Sequence, residues 1–257
     1  MNEKEVHVVL SDRKIVKMSN DLNSARFKMS PLALDILHLF VAQVKKEDKE
    51  FKQFEISVKD MEKKLGKRVN VDYLDKVTNE LFLPFKLYEN GSWEKYSWCS
   101  KVSFKNNRLT FEMHEDLKNK IINLPNNYVL FNMQETTKLS NFNLKRLYTL
   151  LKQFENSGWY EISVEELIAI LDAQKQFKRY TDLKRYLLEP AIKQINEKTD
   201  LSFKYEEIKS GRKVARIKFT MQIPAKVIKS KKAVTKPKED KSSNEALKEF
   251  YFNSVNE

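Results

Sequence analysis

Residues 160–166 read YEISVEE, and residues 54–60 read FEISVKD. The two stretches match at a constant offset of 106 residues, and Leu171 answers Leu65 at the same offset. The aromatic residue and the isoleucine, two positions apart, suit one face of a short strand. Ser57 is then placed to cap a helix, with Asp60 positioned to reach back to it. Each stretch follows an amphipathic helix. Before the first, Ser30-Pro31 opens a helix whose Leu32, Ile36, Leu39, Phe40 and Val44 share one buried face, proline being tolerated at the first helical position. Before the second, residues 143–154 set Leu144, Leu147, Leu151 and Phe154 on one side.

What comes after the two stretches also repeats. The first is followed by a short helix carried by Met61 and Leu65 and ended at Gly66, then by a helix over residues 72–83 with Leu74, Val77 and Leu81 inward. Strand-like segments follow at Phe85 and Leu87, at Val102 and Phe104, and at Leu109, Phe111 and Met113. Asn90-Gly91 and Asn106-Asn107 mark the turns. The second stretch is followed by a short helix, a longer helix and strands joined at Ser210-Gly211. Helix, strand, two helices and a β-hairpin make a winged helix, that is, a helix-turn-helix with a β wing. Two copies at this period are two domains rather than a solenoid.

The expected fold is therefore α+β: two tandem winged-helix domains related by internal duplication, over residues 1–124 and 125–224, each with its own core. A flexible basic C-terminal tail over residues 225–257 is rich in lysine and poor in apolar residues. Leu247, Phe250, Tyr251 and Phe252 near its end are spaced for one helical turn, against the ordinary fraying of a terminus. Residues 6–18, mixed apolar and basic, are expected as an extended arm or edge strand.

The longer helix of the second copy is read from residues 178–198, KRYTDLKRYLLEPAIKQINEK. Leu183, Leu187, Ala191 and Ile195 recur every fourth residue and predict a buried stripe, with Lys184, Arg185 and Lys193 off it and Lys178, Arg179 and Tyr180 just ahead. Pro190 is expected to kink the helix or bend the path after Glu189. Basic and aromatic residues crowded at the N-terminal end suit a helix inserted end-first into a DNA major groove. A cationic stripe alone is a solvated helix face; its place inside a duplicated helix-turn-helix gives it a function. In the second wing, Arg212, Arg216 and Lys218 fall mostly on one strand face, opposite Ala215, Ile217 and Phe219, which suits a grip on phosphates as well as a solvated sheet.

Composition narrows the chemistry. The 257 residues carry a formal charge of +12, which attracts polyanions, nucleic acid first and an anionic membrane second. No apolar run approaches the roughly 18 residues of a membrane span, and residues 1–10 are too polar and acidic for a signal peptide, so a soluble, cytoplasmic protein is expected. Cys99 is the only cysteine, which excludes an intrachain disulfide and a cysteine-based zinc site. The four glycines, Gly66, Gly91, Gly158 and Gly211, are too scattered to cradle phosphates, and Leu65-Gly66-Lys67-Arg68 lacks the upstream glycine and the hydroxyl residue of a P-loop. His7, His38 and His114 are far apart, with His38 on an apolar helix face as a core or boundary residue. A nickase that joins itself to DNA needs a histidine pair for its metal and a nearby tyrosine nucleophile, and that pair is missing. No catalytic residue, metal or cofactor is expected.

Residues 140–148 (SNFNLKRLY), 161–167 (EISVEEL), 188–196 (LEPAIKQIN), Thr199-Asp200 and residues 208–214 (IKSGRKV), in this order, resemble the initiator Rep proteins of theta-replicating, iteron-containing bacterial plasmids. In the first domain, Asn20-Asp21-Leu22 and the helix from Pro31 fit the family outline, while Ala33-Leu34-Asp35 stands where a more polar run is usual. The resemblance implies a second domain that reads sequence, and a first domain that adds DNA contacts in the monomer and forms the interface of a homodimer. It further implies that monomers bind origin repeats and help open an AT-rich segment, that a host replication initiator and helicase are recruited, and that dimers bind an operator inverted repeat and repress the protein's own gene. Carried onto this chain, the base-reading candidates are Lys178, Arg179, Tyr180, Lys184 and Arg185. The phosphate candidates are Lys145, Arg146, Arg212, Arg216 and Lys218, with Lys67, Arg68 and Tyr73 in the analogous place in the first domain. The rival readings are a transcriptional repressor without a replication role and a tandem winged-helix adaptor that binds proteins.

Overall fold

The computed structural model describes residues 8–89, 91–124 and 127–222; the expectations placed on residues 1–7, on Asn90 and on the tail of residues 225–257 lie outside the described residues. The first half opens with β1 (Val8–Val9), β2 (Ile15–Ser19), the single turn α1 (Asn20–Asn23) and α2 (Pro31–Val41). Ser30 Oγ accepts from the Ala33 N–H at 3.2 Å and Pro31 fills the first turn, which starts α2 where the sequence predicts. β3 (Phe54–Ser57) then runs into α3 (Val58–Leu65), which ends on Gly66 at φ +67°. The helix expected over residues 72–83 is a 3₁₀ turn at Val71–Tyr73, α4 (Leu74–Asn79) and a second 3₁₀ turn at Glu80–Phe82. β4 (Phe85–Glu89) and β5 (Ser92–Tyr96) form one hairpin, and β6 (Cys99–Lys105) and β7 (Arg108–Met113) form another. Asn106 and Asn107, at φ 52° and 60°, make the tight turn of the second hairpin.

A short α5 (Lys118–Ile121) leads to β8 (Tyr128–Asn132), α6 (Met133–Thr137) and α7 (Phe142–Gln153). The second copy continues with β9 (Trp159–Ser163), α8 (Val164–Ile170), α9 (Tyr180–Leu183), a π turn at Lys184–Leu188, α10 (Glu189–Lys198), and the wing strands β10 (Ser202–Ser210) and β11 (Lys213–Gln222). The sheets are ordered β1-β3-β7-β6 and β10-β11-β9, with two-stranded pairs β2-β8 and β4-β5. Among the described strands only β1 against β3 is parallel.

The repeat in the sequence is a repeat in geometry. Ser57 and Ser163 sit at φ −71°, ψ 150° and φ −68°, ψ 149°, and each hydroxyl accepts from the N–H three residues on at 3.1 Å. Ile56 and Ile162 point into the core. The glutamate between aromatic and isoleucine has one task in both copies: Arg108 Nε donates to Glu55 Oε1, and Arg216 Nε to Glu161 Oε1, each at 2.5 Å and each from the wing strand paired alongside.

The stripe of the recognition helix holds, since Leu183, Leu187, Ala191 and Ile195 are all fully buried. A strict four-residue spacing drifts by about 40° per step on an ideal helix of about 100° per residue. The wider π turn offsets that drift. It also accommodates Pro190, which has no N–H to donate and whose ring crowds the carbonyl four residues back. The Glu189 N–H bonds the Lys184 carbonyl, five residues earlier, so the expected disturbance at Pro190 takes the form of a π turn inside a continuous helix.

The separate cores expected for the two copies are instead one. Buried side chains from Leu10 to Met221 form a single hydrophobic cluster. Its centre is α7, in which every residue from Phe142 to Leu151 is buried. This helix lies against α1, α2, α6 and β8 on one side and α10 on the other, so it has no solvated face to give its polar residues. Most of them find partners inside, although Asn143 Oδ1 and Arg146 Nε are buried without one. Tyr148 donates to Asp200 at 2.7 Å, Asn143 to Gln176 at 3.0 Å, and Asn23 reaches the Thr149 carbonyl at 3.0 Å. Much of the SNFNLKRLY and Thr-Asp signature is therefore interior hydrogen bonding: Tyr148–Asp200 and Asn143–Gln176 hold the second copy, while Lys145–Asp35 and Arg146–Ala25 tie it to the first. His38 is buried as expected. Desolvation, with Lys145 and Arg146 nearby, holds it well below the ordinary imidazole range, so it is neutral at pH 7.

Candidate nucleic-acid interface

The N-terminal end of the recognition helix carries the densest exposed charge among the predicted residues. Lys178 and Arg179 precede α9 and are exposed, Arg179 only 3.5 Å from Asp182 in a solvated ion pair. Arg185 is exposed one turn on, its guanidinium 5.4 Å from the ring centre of Tyr186. Lys184 and Tyr180 are placed differently. Lys184 Nζ donates to Glu207 Oε1 on β10 at 2.8 Å, a bond that raises the Lys184 ammonium and lowers the Glu207 carboxyl from their ordinary values. Tyr180 is half-buried, and desolvation, with Glu207 and Tyr205 beside it, raises its phenol well above the usual range. Lys178, Arg179 and Arg185 thus point to solvent as a group, while Lys184 fastens the helix to its wing and Tyr180 packs against the core with its hydroxyl unpartnered.

The wing contributes less evenly than its alternation suggests. Ile217, Phe219 and Met221 are buried on one face, and Arg216, Lys218 and Thr220 lie on the other. Arg212 stands in the Gly211-Arg212 turn between Ser210 and Lys213, and a bulge at Ile208/Lys209 takes up Ala215. Arg216 is held by Glu161, and the Lys218 ammonium lies 5.7 Å from the Trp159 ring centre. In the first copy, Lys67 is bonded to Asp35, Arg68 is exposed, and Tyr73 is 41% exposed with Lys76 5.3 Å from its ring centre.

Two phosphate candidates are corrected. Lys145 is fully buried, donating to Asp35 Oδ1 at 2.7 Å and to the Thr136 carbonyl at 2.6 Å. Arg146 is buried, donating to the Ala25 carbonyl at 2.9 Å with its guanidinium 4.3 Å from the Phe27 ring centre. Burial pushes its guanidinium down, to about 9, so it stays cationic at neutral pH. Neither side chain reaches solvent, because α7 is covered on both sides and both charges serve as interior donors.

Several exposed residues escape the sequence reading. Thr181 and Tyr186 lie on the outer side of the recognition helix, and Lys204, Lys209 and Lys213 stand on the wing strands. Tyr186 is 55% exposed and follows Arg179 and Asp182 at helical spacing, a signal available in the sequence. The wing lysines carry none, since cations on a sheet edge are ordinary solubilising residues.

The Lys184–Glu207 pair gives one test of this face. Glu207→Gln removes a negative charge beside the exposed cations and is expected to raise affinity for duplex DNA several-fold at low salt, with the gain fading as salt is added. A fluorescence anisotropy titration at two salt concentrations reads this. Unchanged affinity at low salt would place Glu207 away from the bound duplex.

Among the described residues no helix is long and apolar enough to cross a membrane. No curated relative matches the chain. Two family profiles do. The one described as "Initiator Replication protein, WH1" spans residues 15–152, more than half of the chain, and "Initiator Rep protein, WH2" spans residues 163–221. The first runs on through β8, α6 and most of α7, elements read from the sequence as the start of the second copy. The second covers that copy from Ser163 into β11, and the chain belongs to the initiator Rep protein family, DNA-binding proteins of plasmid replication initiation.

Proposed function

We propose that the protein binds tandem repeats (iterons) at its plasmid origin as a monomer and promotes opening of an adjacent segment. In this reading it recruits the host initiator and helicase, and as a homodimer on an inverted repeat it represses its own gene. It acts in the cytoplasm without a catalytic step of its own. The observation that carries the proposal is the solvent-facing group of Lys178, Arg179 and Arg185 at the N-terminal end of a helix whose opposite stripe is wholly buried. Cations so placed can donate to guanine edges, and the adjoining wing, with Arg212 at its turn, can meet phosphates. A second winged helix fixed to the first through one core suits a site of roughly two duplex turns, about 20 base pairs.

The test is a salt series of binding to a labelled fragment from upstream of the gene, against a scrambled competitor. The reading expects sequence-selective binding whose affinity falls steeply with salt, by roughly 0.9 in log–log slope per phosphate neutralised. Binding with little salt dependence and no sequence preference would favour the protein-binding adaptor. Selective binding without replication of a plasmid that carries the fragment and the gene would leave the repressor.

A further inference from the structure

The first copy contains an element that the second builds its fold without. Between α4 and the wing it inserts the β4–β5 hairpin, whereas the second passes from α10 to β10 in a few residues. One face of the hairpin is anchored. Phe85 and Leu87 are buried, and Phe85 stacks on the buried Trp98 at 4.3 Å between ring centres. The alternation of the strands sends the opposite set outward: Lys86 and Tyr88 on β4, paired in register with Lys95 and Trp93 on β5. Trp93 is 51% and Tyr88 47% exposed, large apolar rings outside the hydrophobic core. The only charges among those four paired residues are positive. Lys86 and Lys95 stand 4.4 and 5.3 Å from the Trp93 ring centre, and Arg26, itself paired with Glu166, lies 4.0 Å from the ring centre of Tyr88.

The plain explanation is that these cation–π contacts stabilise the hairpin itself. At exposed sites such contacts are weak, and stacking of a nucleobase on an aromatic ring is the stronger interaction. A base displacing a lysine from the Trp93 ring would leave that ammonium beside the phosphate of the same strand. Two exposed rings on a rigid ribbon, flanked by Lys86 and Lys95 on a protein of charge +12, are the elements of a single-strand platform. Duplex DNA presents no free base face to them. We propose that the outer face of the β4–β5 hairpin binds single-stranded DNA, with bases stacked on Trp93 and Tyr88 and phosphates held by Lys86 and Lys95. The proposal rests on the initiator reading, in which opening of the origin supplies the single strand.

The experiment uses the full chain with a fluorescent 20-nucleotide oligo-dT and, separately, the upstream duplex. Native protein binds the oligonucleotide with quenching of tryptophan emission. Trp93→Ala weakens that binding by about tenfold, as does Tyr88→Ala, while Trp93→Phe, which keeps a ring, retains most of it. Duplex affinity and thermal unfolding stay at the native values in Trp93→Phe, which guards against misfolding. Native protein that does not bind oligo-dT, or a Trp93→Ala variant that binds it as well as native, overturns the proposal. A duplex bound without sequence preference would sink the initiator reading instead, whatever the oligonucleotide does.

Discussion

Asp35→Ala is expected to lower the stability of the protein by about 3–5 kcal/mol, the usual consequence of removing one partner from a buried ion pair. Asp35 is fully buried and accepts from Lys145 Nζ at 2.7 Å and from Lys67 Nζ at 2.5 Å. Without it, the Lys145 ammonium keeps only the Thr136 carbonyl inside a core shared by both copies. Desolvation already sets the Lys145 ammonium below its ordinary range, with Asp35 opposing. Removing Asp35 therefore depresses it further. A basic group whose folded pKa is depressed binds fewer protons in the native than in the unfolded state, so stability rises with pH between the folded value and about 10.5. The deficit of Asp35→Ala should accordingly shrink between pH 7 and pH 10, as Lys145 is able to go neutral. Adding Lys145→Met to Asp35→Ala should recover most of the deficit, because an apolar replacement of the whole pair leaves no buried charge. Urea unfolding followed by circular dichroism measures all three. A deficit below about 1 kcal/mol would mean that water reaches the pair.

That pair also marks where sequence reading works and where it stops. Serine caps, the glycine stop at Gly66, the turn at Asn106-Asn107 and the leucine stripe of the recognition helix are local rules written in a few adjacent residues, and all appear as read. Lys145 and Arg146 are misplaced by the sequence because helical periodicity identifies one buried face and assigns the rest to solvent. On α7 the rest is covered by elements more than 100 residues away in sequence, including Asp35 and the carbonyl of Ala25. At Ala33-Leu34-Asp35, Ala33 and Leu34 are apolar because both are buried in the core, and Asp35 sits inward because Lys145 and Lys67 come to meet it. Likewise, nothing near Arg216 in the sequence announces that Glu161 will face it across two strands. Long-range partners decide which charges are free to meet DNA, so the site is legible as a region while its membership is not.

The membership that the structure leaves is tested by removing it together. The triple variant Lys178→Ala, Arg179→Ala, Arg185→Ala is expected to lose roughly 3–6 kcal/mol of repeat-specific affinity, roughly 10²–10⁴-fold, if each side chain makes one base or charged phosphate contact. Its salt slope should fall by about 0.9 for each of the three that also neutralises a phosphate. Stability should hardly change. Among the described residues the only ion pair that involves the three is the solvated Arg179–Asp182 contact at 3.5 Å, of a kind worth about 0–1 kcal/mol. The control is the wing: Arg212→Ala with Lys218→Ala should weaken repeat and scrambled duplexes alike, since phosphates carry no sequence. Measured by anisotropy on both duplexes, the two variants separate reading from gripping. A triple variant that still prefers the repeat would move base recognition to the first winged helix, where Arg68 and the half-exposed Tyr73 precede the corresponding helix α4.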